Sequence, residues 1–444
     1  MRTTVTSSSA VLLAGILFAG CGVQQTALAP VAPGSSSARV HRASGPSSSI
    51  QYVIIIVQEN RTPDNLFQGL PGANIASSGL NSRGQQVALH PVPLEAQYDP
   101  NHTHPSFLTE YDGGNMDGFD RESITGNCQN KSTCAYGYVP QSESQPYLDL
   151  ATQYAFADNM FGTNQGPSFP AHQYLISGTS TVLQSGSSLA AENPYKPGGR
   201  HGGGGCDAQA SELVTTINAS GYEGNPVYPC FDRPTLGDLL DTKGVSWRYY
   251  EMKLGTGLWY AYDAIQHIRF GPDYANVLTP SQKILKDISG GNLAHVSWVV
   301  PDGSNSDHSG KHSKGGPAWV TSIVNAVGSS QYWNNSAVFV VWDDWGGWYD
   351  HVAPPVYTSY ELGMRVPLII VSPYAKSGYV SHTQYEFGSI LKFVEETFNL
   401  GSLNTTDARA NSLDDSFNFG APKRKFVRIH APPFGIVPGV PDSD

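Results

Sequence analysis

Val53-Ile54-Ile55-Ile56-Val57-Gln58-Glu59-Asn60 and, far along the chain, Ala337-Val338-Phe339-Val340-Val341-Trp342-Asp343-Asp344 share one pattern: an apolar run ending on two adjacent oxygen-bearing side chains. Continuous β-branched runs suit strands covered on both faces of a parallel sheet, and ligand sites in such sheets lie beyond the carboxyl ends of the strands. Both segments therefore predict buried strands that deliver oxygen ligands to one end of a sheet, a metal or phosphate site by position. From residue 51 to about 400, strand-like runs alternate with helical patterns, which predicts an α/β fold.

The expected helices cover 146–154, 235–242, 279–288, 317–327 and 385–398; further strands are expected at 296–300 and 366–371. In the last helix Phe387, Ile390, Leu391, Val394 and Phe398 fall on one face and read as core packing. Residues 181–232 contain the Gly-rich stretch Pro197-Gly198-Gly199-Arg200-His201-Gly202 and read as an insertion over one end of the sheet. A disulfide-pinned loop without a catalytic part is favoured there over a lid. Residues 401–444, rich in Asn, Pro and Asp, are expected to wrap the domain, with one strand-like run at 426–429.

The 444 residues, 39% apolar and 14% charged, accommodate one large core. A net charge of -11 with no long Lys/Arg run argues against a nucleic-acid partner. Arg2, the apolar stretch from Ala10 to Ala19 and Gly20-Cys21 read as a signal peptide over 1–20. Leu17-Phe18-Ala19-Gly20-Cys21 resembles a lipobox, so Cys21 is a candidate lipid anchor and the only expected link to a membrane. Residues 21–49 form a flexible tether and 50–400 the catalytic domain. The protein is expected to be exported, as a periplasmic or cell-envelope lipoprotein or in secreted form. The other four cysteines favour disulfides; of three possible pairings, Cys128 with Cys134 and Cys206 with Cys230 is preferred, because each closes a Gly/Asn/Ser-rich excursion.

Gly166-Pro167-Ser168-Phe169-Pro170-Ala171-His172 precedes a helical pattern, and proline is tolerated in a first helical turn. Ser168 is thus placed at a helix N-terminus, where free N–H groups and the macrodipole favour an anion. It is a candidate nucleophile. The bland alternative is a Ser N-cap.

Read together, Glu59-Asn60-Arg61-Thr62-Pro63-Asp64-Asn65-Leu66-Phe67, Gly166-Pro167-Ser168-Phe169-Pro170, Pro301-Asp302 with Asp307-His308, and Trp342-Asp343-Asp344-Trp345-Gly346-Gly347-Trp348-Tyr349-Asp350-His351 resemble, in type and order, the bacterial acid phosphatase and phospholipase C family of the alkaline-phosphatase-like superfamily. The resemblance covers residues 51–400. It implies a three-layer α/β/α sandwich with a mostly parallel central sheet, and one divalent metal ion held by Glu59, Asn60, Asp343 and Asp344 with the Ser168 oxygen. Oxygen donors suit Mg, Ca or Mn, and Zn also accepts carboxylates. The resemblance further implies that His102 and His308 bind phosphate or transfer protons; His351 lies in a matching motif. Two neighbouring aspartates on a strand point to opposite faces, so Asp343 and Asp344 share an ion only where the strand ends, which Gly346-Gly347 favours.

The chain departs from the family at Pro170-Ala171-His172, where Pro-Asn-Arg is common. That string also approximates the sulfatase signature Ser-x-Pro-x-Arg, with His172 in place of the Arg. The implied activity is metal-dependent hydrolysis of a phosphate ester through a phosphoserine, acid phosphatase-like since the nucleophile is Ser. Phospholipase C is the alternative, ahead of a sulfatase-like enzyme or a non-catalytic anion-binding envelope protein. The expected partner is a phosphate ester, either a small molecule or a phospholipid headgroup.

Overall fold

The computed structural model describes residues 49–183, 186–310 and 313–432. The signal peptide, Cys21 and almost all of the tether lie outside the described residues, as do His312 and the last twelve positions. The two opening runs form the centre of the molecule. Strand β1 (Tyr52–Gln58) lies parallel to β6 (Ser336–Trp342), with Tyr52 opposite Ser336 and Gln58 opposite Trp342. Equal register makes both strands stop at one level, so Glu59-Asn60 and Asp343-Asp344 emerge side by side.

Around this pair stand β2 (Ala155–Ala157), β3 (Trp247–Tyr250), β4 (Val277–Leu278), β5 (Val296–Val299), β7 (Leu368–Val371) and β8 (Tyr379–Ser381), in the order β4-β3-β5-β1-β6-β7-β2-β8. Only β7 runs antiparallel within this sheet. Helices cover both faces. On one lie α2 (Gln141–Gln153), α5 (Lys283–Ser289) and α6 (Gly316–Gly328); on the other lie α3 (Ser168–Ser177), α4 (Leu236–Thr242) and α7 (Phe387–Phe398). Phe339 meets Phe393 of α7 edge-on, whereas Trp342, three residues on and so on the opposite face, meets Tyr147 of α2. The expected three-layer α/β/α sandwich with a mostly parallel sheet is the fold of this chain.

The apolar stripe of α7 is buried as its spacing requires. Thr235 closes a capping box with Asp238 and starts α4. Helix α2 begins at Gln141, ahead of the expected 146, and carries Pro146 in its interior. The carbonyl that Pro146 leaves without a donor belongs to the exposed Ser142, which solvent satisfies. The run 426–429 is not a strand; Ile429 instead exchanges backbone bonds with the Asn325 side chain of α6 at 2.9 and 3.0 Å. Its side chains are spaced for a sheet edge, but no strand edge is offered there, and an amide takes over the pairing. The disulfides join Cys128 to Cys134 and Cys206 to Cys230, as expected.

Candidate active site

Helix α3 is buried along all its residues, with Pro167 as N-cap and Gly178 at φ +62° ending it. Pro170 falls in the first turn, where its missing N–H costs nothing. This points Ser168 at the ends of β1 and β6. Its Oγ donates to Glu59 Oε2 at 3.0 Å and lies 3.3 Å from Asp344 Oδ2. The other Glu59 oxygen is 2.9 Å from His172 Nε2, one turn along the helix, and the same nitrogen is 3.7 Å from Asp343 Oδ2. Glu59, Asn60, Ser168 and Asp343 are fully enclosed, and Asp344 nearly so.

The strand ends resolve the problem of adjacent aspartates. β6 stops at Trp342, and Asp343 Oδ1 then accepts from the amides of Asp344 (2.7 Å) and Asn60 (3.1 Å). Asp344 Oδ1 accepts from Gly346 N at 2.7 Å. Asn60 itself has φ +61°, a conformation asparagine tolerates better than most residues. Gly346, also at φ +61°, passes so close that a Cβ there would sit 2.6 Å from the Asn60 carbonyl oxygen. Glycine is the one residue that fits.

His102 Nε2 accepts from Asn60 Nδ2 at 3.0 Å, while its Nδ1 donates to the Pro100 carbonyl, also at 3.0 Å. That assigns the proton to Nδ1 and turns Asn60 Oδ1 the other way. Oδ1 of Asn60 and Oδ2 of Asp343 are buried without a hydrogen-bond partner. Buried oxygens are rarely left so. Together with the Glu59 and Asp344 carboxylates and the Ser168 hydroxyl they make an all-oxygen donor set that fits a hard divalent cation. His308 stands beside His102, their ring centroids 5.9 Å apart, with Nδ1 donating to Ser309 O at 2.6 Å. That assigns the proton of the neutral ring to Nδ1.

His351 belongs to a different group. Its Nδ1 is 2.7 Å from Asp64 Oδ2 and its Nε2 is 3.0 Å from Asn74 Oδ1, while Arg365 bridges Asp64 and Asp350. Burial pulls the His351 pKa down, but the Asp64 carboxylate more than offsets this and leaves it raised. Glu59, Asn60, Ser168, Asp343, Asp344, His102 and His308 are thus brought together; His351 braces the neighbouring loop.

Several participants carried no assigned role in the motif reading. His172 occupies the position of the family's Arg and bonds Glu59. Arg61, wholly buried, donates to the Asp307 carbonyl at 2.8 and 2.6 Å and ties the end of β1 to the loop carrying His308. Burial lowers the Arg61 pKa to about 10, against the charge of Asp307. Burial raises that of Asp307 to about 7, opposed by the Tyr147 hydroxyl and by Arg61. The insertion over 181–232 is pinned by Cys206–Cys230 and also reaches the site: Asn193 Oδ1 accepts from Phe169 N at 2.9 Å, and Glu192 accepts from His104 N at 2.9 Å. Glu192, Asn193, His102 and Pro167 line a cavity of about 380 Å³.

The family model described as the Phosphoesterase family matches residues 50–401. The chain belongs to the phosphoesterase family. It is 22% identical to a non-hemolytic phospholipase C of Pseudomonas aeruginosa, with 91% of this chain and 61% of that relative covered. With a non-hemolytic phospholipase C of Burkholderia pseudomallei the identity is 24%, over 88% of this chain and 63% of the relative. The chain thus spans about three-fifths of the length of these two. A solved protein of the alkaline phosphatase superfamily from Vibrio parahaemolyticus superposes with a TM-score of 0.39 at 10% identity, covering 83% of this chain and 72% of that one. Within this phosphoesterase, the first and last motifs of the opening reading fall inside the matched span.

Proposed function

We propose that this chain hydrolyses phosphoric esters with Ser168 as nucleophile, in the manner of an acid phosphatase. The observation that carries the reading is the Ser168 hydroxyl, buried at a helix N-terminus and hydrogen-bonded to Glu59 and Asp344. A binding protein has no use for a nucleophile held there. The Oγ lone pair attacks phosphorus in line with the ester oxygen, so a phosphorus–Oγ bond forms as the ester bond breaks. Glu59 and Asp344 orient the hydroxyl and take up its proton. The Phe169 N–H is held by Asn193 Oδ1 and Pro170 carries none, so α3 contributes through the positive end of its macrodipole, which favours the developing phosphoryl charge. His308, anchored through Nδ1, gives a proton from Nε2 to the leaving oxygen, and His102 holds the Asn60 amide in one orientation. Glu59, Asn60, Asp343 and Asp344, with the Ser168 oxygen, would hold a divalent cation, whose positive charge would favour the ionised hydroxyl and offset phosphoryl charge. Water then cleaves the phosphoserine.

The relatives named above favour a second reading, phospholipase C, with the same machinery acting on a lipid diester. Phosphate release from soluble monoesters, set against diacylglycerol release from phosphatidylcholine vesicles, separates the two. A monoesterase releases phosphate and leaves the vesicles intact; exclusive diacylglycerol release rejects the phosphatase reading. Export to the periplasm or envelope and anchoring through Cys21 belong to the same proposal, tested by fractionation with and without Cys21→Ser.

A further inference from the structure

The cavity beside Ser168 is walled by polar groups from several separate parts of the chain. Asn101, His102 and Thr103 come from the segment before helix α1 (His104–Tyr111), and Glu192 and Asn193 come from the insertion. His102 and Pro167 connect it to the reacting centre, through the Asn60 amide and the residue before Ser168 respectively. A phosphoryl group at Ser168 therefore directs the remainder of its ester into this space. Among the described side chains that line it there is no lysine or arginine, and the polar groups are amides, hydroxyls, carboxyls and imidazoles. Such groups hydrogen-bond hydroxyls and do not suit acyl chains.

Glu192 is the distinctive member. Among the described residues its carboxyl has one hydrogen-bond donor, the His104 amide, and no cation within ion-pair distance. Desolvation raises its pKa to about 8, against the hydrogen bond from His104. A neutral carboxyl offers an O–H donor beside its acceptors, the pairing a hydroxyl needs. We propose that Glu192 reads the alcohol side of the substrate by hydrogen-bonding one of its hydroxyls, so that the preferred esters are phosphorylated polyols. This rests on the phosphoesterase reading above. The polyol is either a soluble monoester or the headgroup of a phospholipid, the same chemistry in both.

The test compares wild type, Glu192→Ala and Glu192→Gln on glycerol 2-phosphate, p-nitrophenyl phosphate, and vesicles of phosphatidylglycerol or phosphatidylcholine. Glu192→Ala lowers the ratio of kcat/KM for the polyol ester over the aryl ester about tenfold, the order expected of one hydrogen bond to substrate. Glu192→Gln, which keeps an acceptor for the His104 amide and a donor for the hydroxyl, restores most of it. Preference for glycerol 2-phosphate or for phosphatidylglycerol tells which source supplies the polyol, and either result supports the assignment. If Glu192→Ala lowers both soluble esters equally, or neither, Glu192 does not read the alcohol and the esterase reading stands. A wild type that hydrolyses none of these esters, soluble or lipid, removes both.

Discussion

Asp343→Asn is expected to change the stability of the protein in opposite directions depending on whether a divalent cation is present. The carboxylate is fully buried, and its ligand atom lies within 4.8 Å of those of Glu59 and His172. Asparagine keeps the oxygen that accepts from Asn60 N and Asp344 N, and removes one negative charge from a pocket that holds three carboxylates. Two like charges at that spacing repel by on the order of 3 kcal/mol at an effective dielectric near 20. His172 offsets part of this, so the metal-free variant gains roughly 1–2 kcal/mol. With cation at about a hundred times its Kd, wild type gains about 2.7 kcal/mol by mass action, and the variant, lacking a ligand, loses most of that gain. For a domain of roughly 400 residues each kcal/mol moves Tm by about 1 °C. Scanning calorimetry in chelator and in Mg, Ca, Mn or Zn reads this as a crossover: the variant melts higher than wild type in chelator and lower in metal. Equal destabilisation in both conditions refutes a cation at this site.

Three further outcomes follow. Asp307, whose pKa burial raises to about 7, stays protonated in the folded state at pH values where the unfolded chain has lost that proton. Stability therefore falls as pH rises from about 4 to about 7, by a few kcal/mol at most, and Asp307→Asn flattens that slope in denaturant titrations; an unchanged slope refutes the assignment. Replacing Cys206 and Cys230 with serine opens a loop of sequence separation 24 and costs roughly 3 kcal/mol of unfolding free energy, read in urea titrations, with no loss meaning that the insertion is held by its packing. If a cationic imidazole serves the leaving group, kcat/KM is greatest below neutrality and falls through the imidazole range; a profile still climbing near pH 9 excludes that role.

The sheet centre was legible because two β-branched runs admit one reading, and the residues at their ends were legible because a ligand-bearing strand has only one useful end. The short strands Ala155–Ala157, Trp247–Tyr250 and Tyr379–Ser381 carry too few residues for periodicity to register, and their pairing comes from the sheet already built beside them. The strand-like run at 426–429 failed for the converse reason, since a local pattern meets no edge. His172 was visible as a departure from the family string, yet its bond to Glu59 depends on one helical turn aimed at a strand end. Glu192 and Asn193 carry no local signal; the disulfide and the mini-sheet of Leu189–Ala190, Val214–Ile217 and Glu223–Val227 bring them to α3. His351 lies in a matching motif, but which group it joins depends on tertiary contacts: it bonds Asp64 and Asn74, beside the buried Arg365–Asp350 pair.

The most direct measurement is a rapid acid quench of the metal-loaded protein turning over a labelled phosphate monoester, followed by peptide mapping. The account predicts covalent phosphate on Ser168, absent in Ser168→Ala, whose turnover drops by about a thousandfold or more while its melting curve stays near wild type. Label on any other residue, or wild-type turnover in Ser168→Ala, contradicts it.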